Sequence, residues 1–354
     1  MKVLYLGTYD RSSPRNTQVI SCLRRAGVSV VERHRAVWGR HNWTPGPRAL
    51  VRLARAELAL ARAAERDADV IVVGYPGHPD LPAARRVADG RPVVFNPLVS
   101  LADTLVGDRG TVSPRSPLAV VLRHLDQRAF RSADLVVADT EAHAEYFRAT
   151  FGLPTEKVAV ALVGAEDALF RPGTAAPGPF HVLFVGKLIP LHGLETILAA
   201  AALVPEVPFV IAGEGQLSPL LRDRPANVEH VPWIAYDALP EAYRRAGCAL
   251  GIFGTGEKAA RVIPNKVFQA LAAARPVITA DTPGARELLT HGADALLVPP
   301  GDADSLAAAV RCVAGDPVLA QRLATAGRAT YEARASEDVL GVRWRTLLEA
   351  AVAA

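Results

Sequence analysis

Short, continuous apolar runs alternate with longer stretches of helical period along the whole chain. The runs Val3–Leu6, Val70–Val73, Val93–Asn96, Leu135–Ala138 and Val158–Val163 fall in the first half. Val182–Val185, Phe209–Ala212, Ala249–Phe253, Val277–Ala280 and Ala295–Val298 fall in the second. Runs that are apolar at every position, rather than at alternate ones, predict strands buried on both faces, which is the condition of a parallel sheet covered by helices. Between the first and second of these runs, Arg48–Arg66 is an Ala/Leu/Arg-rich amphipathic helix punctuated at its start by Pro45 and Pro47.

The second half restarts with the pattern of the first. KVLYLG (Lys2 to Gly7) and HVLFVG (His181 to Gly186) share the order polar, Val, Leu, aromatic, aliphatic, Gly. Just before the second copy, FRPGTAAPGPF (Phe170 to Phe180) has the Pro/Gly composition of a linker. The pattern predicts an α/β protein of two Rossmann-like domains: residues 1–172, a linker at 173–180, residues 181–335, and a final helix at 336–354. In such sheets ligands bind beyond the carboxyl ends of the strands, so the loops after Gly7 and Gly186 are expected to face a cleft between the domains.

Composition narrows the class. A chain of 354 residues with 50% hydrophobic content suits two ordinary cores. MKVLYLGTYD reads as a first strand rather than a signal peptide, and no apolar run reaches the ~20 residues that span a bilayer. Cys22, Cys248 and Cys312 are unclustered and apolar in context, which predicts reduced, buried thiols and a cytoplasmic location. The net charge of +4 demands no nucleic acid, and no pattern of nucleic-acid readout appears. Metal motifs are also lacking. Both Asp-Ala-Asp strings, Asp67–Asp69 and Asp302–Asp304, introduce or cap elements, and His34, His78, His124 and His143 have no ligand spacing.

Three segments of the second half carry candidate chemistry. FVGKLIPLHG places Lys187 and His192 in the loop after Gly186. VIAGEGQL places Gly213 and Glu214 after another strand, where small residues allow close backbone approach. EKAARVIPNKVFQAL then supplies a helix start at Pro264, Asn265 and Lys266. A helix N-terminus with unpaired N–H groups favours an anion. Each feature alone is an ordinary turn or cap. Together they form a cradle for a diphosphate.

The segments GKLIPLHG, IAGEGQL, NKVFQALAAARPVITADTPGARELL and ALLVPPGDADSLAAAV resemble the second domain of GT-B glycosyltransferases of the retaining family 4 (group 1) type. The resemblance extends more weakly over the first domain, through DLVVADTEAHAEYF (Asp134 to Phe147). It implies a nucleotide-diphosphate-sugar donor held by the second domain, an acceptor held by the first, and no cofactor or bound metal. It also implies a last helix returning to the first domain, which SEDVLGVRWRTLLEAA fits. The family's Arg and Lys in the first of these loops correspond to Lys187 and His192 here, as catalytic and auxiliary cations. The ribose-binding carboxylate of the family is Gln269 in this chain, and Arg261 stands at its sugar-binding carboxylate. Glu257, four residues before Arg261, is therefore assigned to the donor sugar, with Lys258 as an auxiliary donor.

On the acceptor side the candidates are Asp10 and Arg15 in the polar loop after Gly7, Asn96 and Asp103 after Val93–Asn96, and Asp139 after LVVAD. The loop Gly7–Gln18 reads equally as a helix cap. RHRAVWGRHNW (Arg33 to Trp43) interleaves basic and aromatic residues, which suits either a solvated acceptor loop or peripheral contact with an anionic membrane face. The expected reaction is metal-independent retaining transfer from a UDP- or GDP-sugar to a hydroxyl acceptor. The alternatives are a GT-B-fold sugar-nucleotide epimerase or hydrolase, and a non-catalytic nucleotide-binding partner protein.

Overall fold

The computed structural model describes residues 1–11, 13–37, 47–62, 67–173 and 178–354. They form two compact units, Met1–Leu162 with Glu337–Ala354, and Val163–Ser336.

The first unit is built on six parallel strands: β1 (Lys2–Gly7), β2 (Ser29–His34), β3 (Val70–Val73), β4 (Val93–Phe95), β5 (Leu135–Ala138) and β6 (Val158–Val160). Their order is β2-β1-β3-β4-β5-β6. The helices are α1 (Pro14–Arg25), α2 (Pro47–Leu60), α3 (Leu81–Ala88), α4 (Pro117–Ser132) and α5 (Glu141–Phe151), together with the chain's last helix, Glu337–Ala353. Alternate side chains of each strand feed two separate cores. Leu4, Leu6, Ile71 and Val73 meet α2, α3, α4 and α5 on one face of the sheet. Val3, Tyr5, Val70 and Val72 meet α1 and Trp344 and Leu348 of the last helix on the other.

The second unit has β7 (Val182–Val185), β8 (Phe209–Ala212), β9 (Val228–Val231), β10 (Cys248–Leu250), β11 (Val277–Ala280) and β12 (Leu296–Val298), all parallel, in the order β12-β11-β10-β7-β8-β9. Its helices are α6 (Leu194–Leu203), α7 (Leu239–Arg245), α8 (Glu257–Arg261), α9 (Asn265–Ala272), α10 (Pro283–Arg286), α11 (Ala303–Gly315) and α12 (Pro317–Arg334). Chain order reverses between β7 and β10, so the loops leaving these neighbours diverge and open a crevice at their carboxyl ends. Helix α6 packs with α11, and α9 with α12.

All ten apolar runs carry strands. The two strands without such a run, β2 and β9, each lie at one edge of their sheet, and each mixes Glu and His with Val. An outer strand is paired on one side only and can carry polar residues, as these two do, while the opposite outer strands β6 and β12 remain apolar. The division between the units falls at Leu162/Val163 rather than at residue 172. The intervening segment is tied to the second unit: Phe170 packs edge-on to Tyr243, and the Tyr331 hydroxyl donates to the Ala165 carbonyl and the Asp167 carboxylate. Cys22 and Cys248 are buried, but Cys312 is exposed, because the α11 face that carries it turns away from the core. Part of the predicted helix Arg48–Arg66 (residues 63–66), of the segment Arg33 to Trp43 (residues 38–43) and of the linker (residues 174–177) lies outside the described residues.

Candidate functional site

The site is built where β7 and β10 part. Strand β7 is followed by Gly186, whose φ of +148° is reached without strain only by glycine. A Cβ there would stand 2.8 Å from the Lys266 ammonium and 3.2 Å from the His192 ring. Strand β8 is followed by Gly213 at φ +133°, where a Cβ would overlap the Gly186 carbonyl oxygen. The two loops are then stitched together: the Leu188 N–H donates to Glu214 O at 3.1 Å, and the Leu217 N–H to Leu188 O at 2.8 Å. Glycines at both strand ends therefore let two backbones meet over the crevice with no side chain in between. Lys187 and Glu214 project from these loops and are exposed.

The loop of Lys187 closes on itself through a short hydrogen bond between its carbonyl oxygen and His192 Nδ1, which fixes the imidazole edge-on to Phe184 at 5.6 Å between centroids. That backbone is locked to the neighbouring strand's loop, since the Phe253 N–H donates to His192 O at 3.1 Å. After Phe253 the chain forms α8, which packs against the Pro190–His192 turn. Val262 and Ile263 follow in extended form, and α9 starts at Asn265. Pro264 is thus the N-cap residue, at ψ 150°, and not the first helical residue. Its fixed φ still orients the helix start.

No side chain caps α9, so its first N–H groups have no partner from a cap. Lys266 lies in this first turn with only 6% of its surface exposed. Its Nζ makes no hydrogen bond and sits 3.9 Å from the centroid of the Phe184 ring. Burial pulls the ammonium well below the usual lysine range. A cation placed at the positive end of a helix, desolvated and without a carboxylate, is held in an unfavourable state by the fold. An anion at this point would relieve the ammonium and the uncapped amides together.

The other expected donor-side residues are distributed around this centre. Lys258, on α8, is buried. Arg261 is mostly covered and pairs with Glu257 at 3.4 Å, while the Glu257 carboxylate itself is almost fully exposed. Gln269, one helical turn beyond Lys266, is buried, and its Oε1 accepts a hydrogen bond from the Tyr243 hydroxyl at 3.1 Å. That contact ties α9 to α7.

In the first unit, Arg15, Asn96 and Asp139 do not line a surface. Arg15 and Asn96 have no exposed area and Asp139 has 3%. The Arg15 guanidinium donates twice to Asn96 Oδ1, at 2.8 and 3.0 Å, and to the carbonyls of Ala161 and Leu162, and stacks over Trp344. Asp139 accepts from His143 Nδ1 at 2.6 Å. These groups knit the carboxyl ends of the strands to α1, α5 and the last helix. Asp10 and Asp103 are partly exposed. Sequence reasoning did not single out Phe184 or Tyr243. Phe184 was nevertheless visible as the aromatic position of the repeated hexapeptide, and Tyr243 carried no local signal.

Comparison with known proteins gives this geometry a lineage. Residues 5–164 match the family described as glycosyl transferase 4-like domain, and residues 179–316 the family described as glycosyl transferases group 1. The lipopolysaccharide core biosynthesis glycosyltransferase LpsD of Rhizobium meliloti is 29% identical over 49% of this chain and 50% of its own length. The D-inositol 3-phosphate glycosyltransferase of Mycolicibacterium gilvum is 26% identical over 69% and 59%. The chain thus spans between half and three fifths of the length of these curated relatives. Among solved structures, sucrose-phosphate synthase from Thermosynechococcus elongatus superposes with a TM-score of 0.74 at 17% identity, covering 99% of both chains. Anabaena HepE in complex with UDP-glucose gives 0.73 at 17%, covering 99% of this chain and 100% of its own. Two family matches that meet across the linker, on a pair of parallel six-stranded sheets of the GT-B type, establish that the chain belongs to the group 1 glycosyltransferases.

Proposed function

We propose that this protein is a retaining, metal-independent glycosyltransferase that moves a sugar from a UDP-sugar to an acceptor hydroxyl. The observation that carries the reading is Lys266: a buried ammonium with no hydrogen-bond acceptor, at an uncapped helix start, facing a glycine at the point where strand order reverses. The diphosphate of a sugar nucleotide supplies the missing negative charge. A UDP donor is preferred because HepE has been solved with UDP-glucose, with UDP and glucose, and with UDP.

In the reaction, the bond between the anomeric carbon and the β-phosphate oxygen breaks, and a bond to the acceptor oxygen forms on the same face of the sugar. The acceptor proton passes to the departing phosphate oxygen, so no protein base is required. The residues of the crevice stabilise charge that grows on the diphosphate as the bond opens. Lys266 and the α9 amides act on it directly, and Lys187, His192 and Lys258 add further donors. Positive charge supplied in this way takes the place of a divalent cation. Gln269 is assigned to the ribose, and Glu257 to the donor sugar.

The test is transfer and hydrolysis measured with UDP-glucose, UDP-N-acetylglucosamine and GDP-mannose against a panel of hydroxyl acceptors, with and without a chelator. Transfer from a UDP-sugar with the anomeric configuration kept, unchanged by chelator, is the expected result. Inversion, or full loss with chelator, would overturn the respective parts of the reading, and glucose release without any transfer would make the protein a hydrolase.

A further inference from the structure

In the first unit, α2, α3 and α4 lie side by side on one face of the sheet and present their outer sides to solvent. These outer sides are not those of an ordinary soluble helix. Leu50, Val51 and Leu58 of α2, and Leu118, Val120, Val121 and Leu125 of α4, are each between 42 and 58% exposed. They make up seven of the fifteen large apolar side chains exposed among the described residues, although the two helices supply only 14 and 16 residues. Scattered exposed Leu or Val residues need no explanation, whereas a concentration on adjacent helices does.

Charge on the same surface is one-sided. Arg48, Arg52, Arg55 and Arg62 lie on or just after α2, and Arg115, Arg123, Arg128 and Arg131 on or just before α4; all are exposed. Each helix contains one acid, and both turn inward. The Glu57 carboxylate oxygens are buried. Asp126 has no exposed area, accepting hydrogen bonds from Ser100 Oγ and from the N–H groups of Leu101 and Ala102. Between the two helices, α3 adds Arg86, and Arg85 pairs with Asp134 at 2.7 Å, leaving Asp89 as the exposed acid at the end of α3.

We propose that the α2–α4 face of the first unit docks on an anionic lipid surface. Aliphatic side chains bury into the headgroup boundary while the surrounding guanidiniums meet the lipid phosphates. Nucleic acid would use the arginines but gains nothing from Leu and Val, so the mixture selects a bilayer. No helix of the described residues is long and apolar enough to cross a membrane, and docking here is peripheral. The proposal moves membrane contact from Arg33–Trp43 to two helices of the folded unit, and it rests on no part of the proposed reaction.

The experiment is co-sedimentation of the full chain with vesicles of phosphatidylcholine alone and of phosphatidylcholine mixed with phosphatidylglycerol, at low and high salt. Pelleting with the anionic vesicles at low salt, weakened by salt, is expected. The double variant Leu58→Glu/Val121→Glu should lower the partition coefficient about tenfold or more, as should Arg52→Glu/Arg123→Glu, with unfolding temperature and UDP binding retained in both. No pelleting with anionic vesicles, equal pelleting with the neutral ones, or undiminished binding by both variants would overturn the proposal. The first of these results would leave an acidic protein as the occupant of the face.

Discussion

The Lys266 ammonium sits over the Phe184 ring, 3.9 Å from its centroid, and donates no hydrogen bond. The ring's π face gives partial compensation for lost hydration, far less than a carboxylate would. Phe184 therefore positions the charge without neutralising it.

Because burial holds Lys266 well below the usual lysine range, binding of a diphosphate should raise its pKa again and take up a proton. Calorimetry of UDP binding in pairs of buffers of different ionisation enthalpy, at a series of pH values below 10.5, should show net proton uptake over part of that range, absent in Lys266→Met. The variant should bind UDP about 10–100-fold more weakly, the range expected for losing a hydrogen bond to a charged group. In the unliganded protein the sign is opposite: the unfolded chain binds the extra proton between the folded-state pKa and 10.5, so stability rises with pH across that window. Lys266→Met should abolish that slope and raise the unfolding temperature at neutral pH. An enthalpy independent of buffer would show that Lys266 does not meet the ligand as a titrating group.

Gly186→Ala and Gly213→Ala should fail differently. A Cβ at Gly186 meets the far end of the Lys266 side chain, which can move aside. Nucleotide affinity should fall while stability drops by about 1 kcal/mol, the cost of forcing a non-glycine residue into a glycine conformation. At Gly213 the obstacle is the Gly186 backbone, which cannot move alone. There a loss of about 2 kcal/mol or more is expected. Chemical denaturation of the two variants separates the cases, and equal costs would contradict the geometry.

Gln269 and Tyr243 form one unit through the hydrogen bond between the Tyr243 hydroxyl and Gln269 Oε1. Gln269→Ala leaves that hydroxyl buried without an acceptor, at a cost of about 1–3 kcal/mol. The double variant with Tyr243→Phe should cost less than the sum of the singles. UDP affinity distinguishes the second role: weaker binding in Gln269→Ala but not in Tyr243→Phe places Gln269 on the ribose, whereas equal affinities leave it a purely structural tie.

Glu57 gives a pH-dependent stability with a sign that can be checked. Burial, and then the neighbouring Asp80 carboxylate, push its carboxyl up to about 10. The folded state keeps a proton that the unfolded state releases above 4.5, so this contribution to stability is full below pH 4.5 and falls steadily as pH rises toward 10. Glu57→Gln should match the wild type in unfolding temperature near pH 4 and exceed it increasingly at pH 7 and above. A constant difference across that range would show that Glu57 does not titrate in this way.

The sheets were legible because ten strands, most of them buried on both faces, are continuous apolar runs. Strands β2 and β9 escaped because each lies at a sheet edge and carries Glu and His among its Val residues. The turns at Gly186, Gly213 and Pro264 were legible for a related reason: they are required by backbone geometry, and such requirements are local. The roles of Arg15 and Asn96 were not. Both are polar residues that follow strands in the sequence, the usual place for ligand contacts, yet here they bond to each other, and Arg15 also to the carbonyls of Ala161 and Leu162 far along the chain. Whether a polar loop residue faces solvent or closes the interior depends on long-range packing, which no local pattern records. The same holds for Gln269, whose partner lies 26 residues away.

The repeated hexapeptide has one more consequence. Gly7 and Gly186 share the same φ of +148°, and each lets another group approach the backbone closely. At Gly186 that group is an ammonium. At Gly7 it is the Asp80 carboxylate, gripped by the Thr8 N–H and hydroxyl at 2.8 Å each. One copy of the turn thus holds a carboxyl group that is covalently part of the chain, while at the other the proposed function brings the acidic group from outside. Two matching turns thereby differ in what closes them: the first meets a carboxylate of its own chain, and the second meets an ammonium.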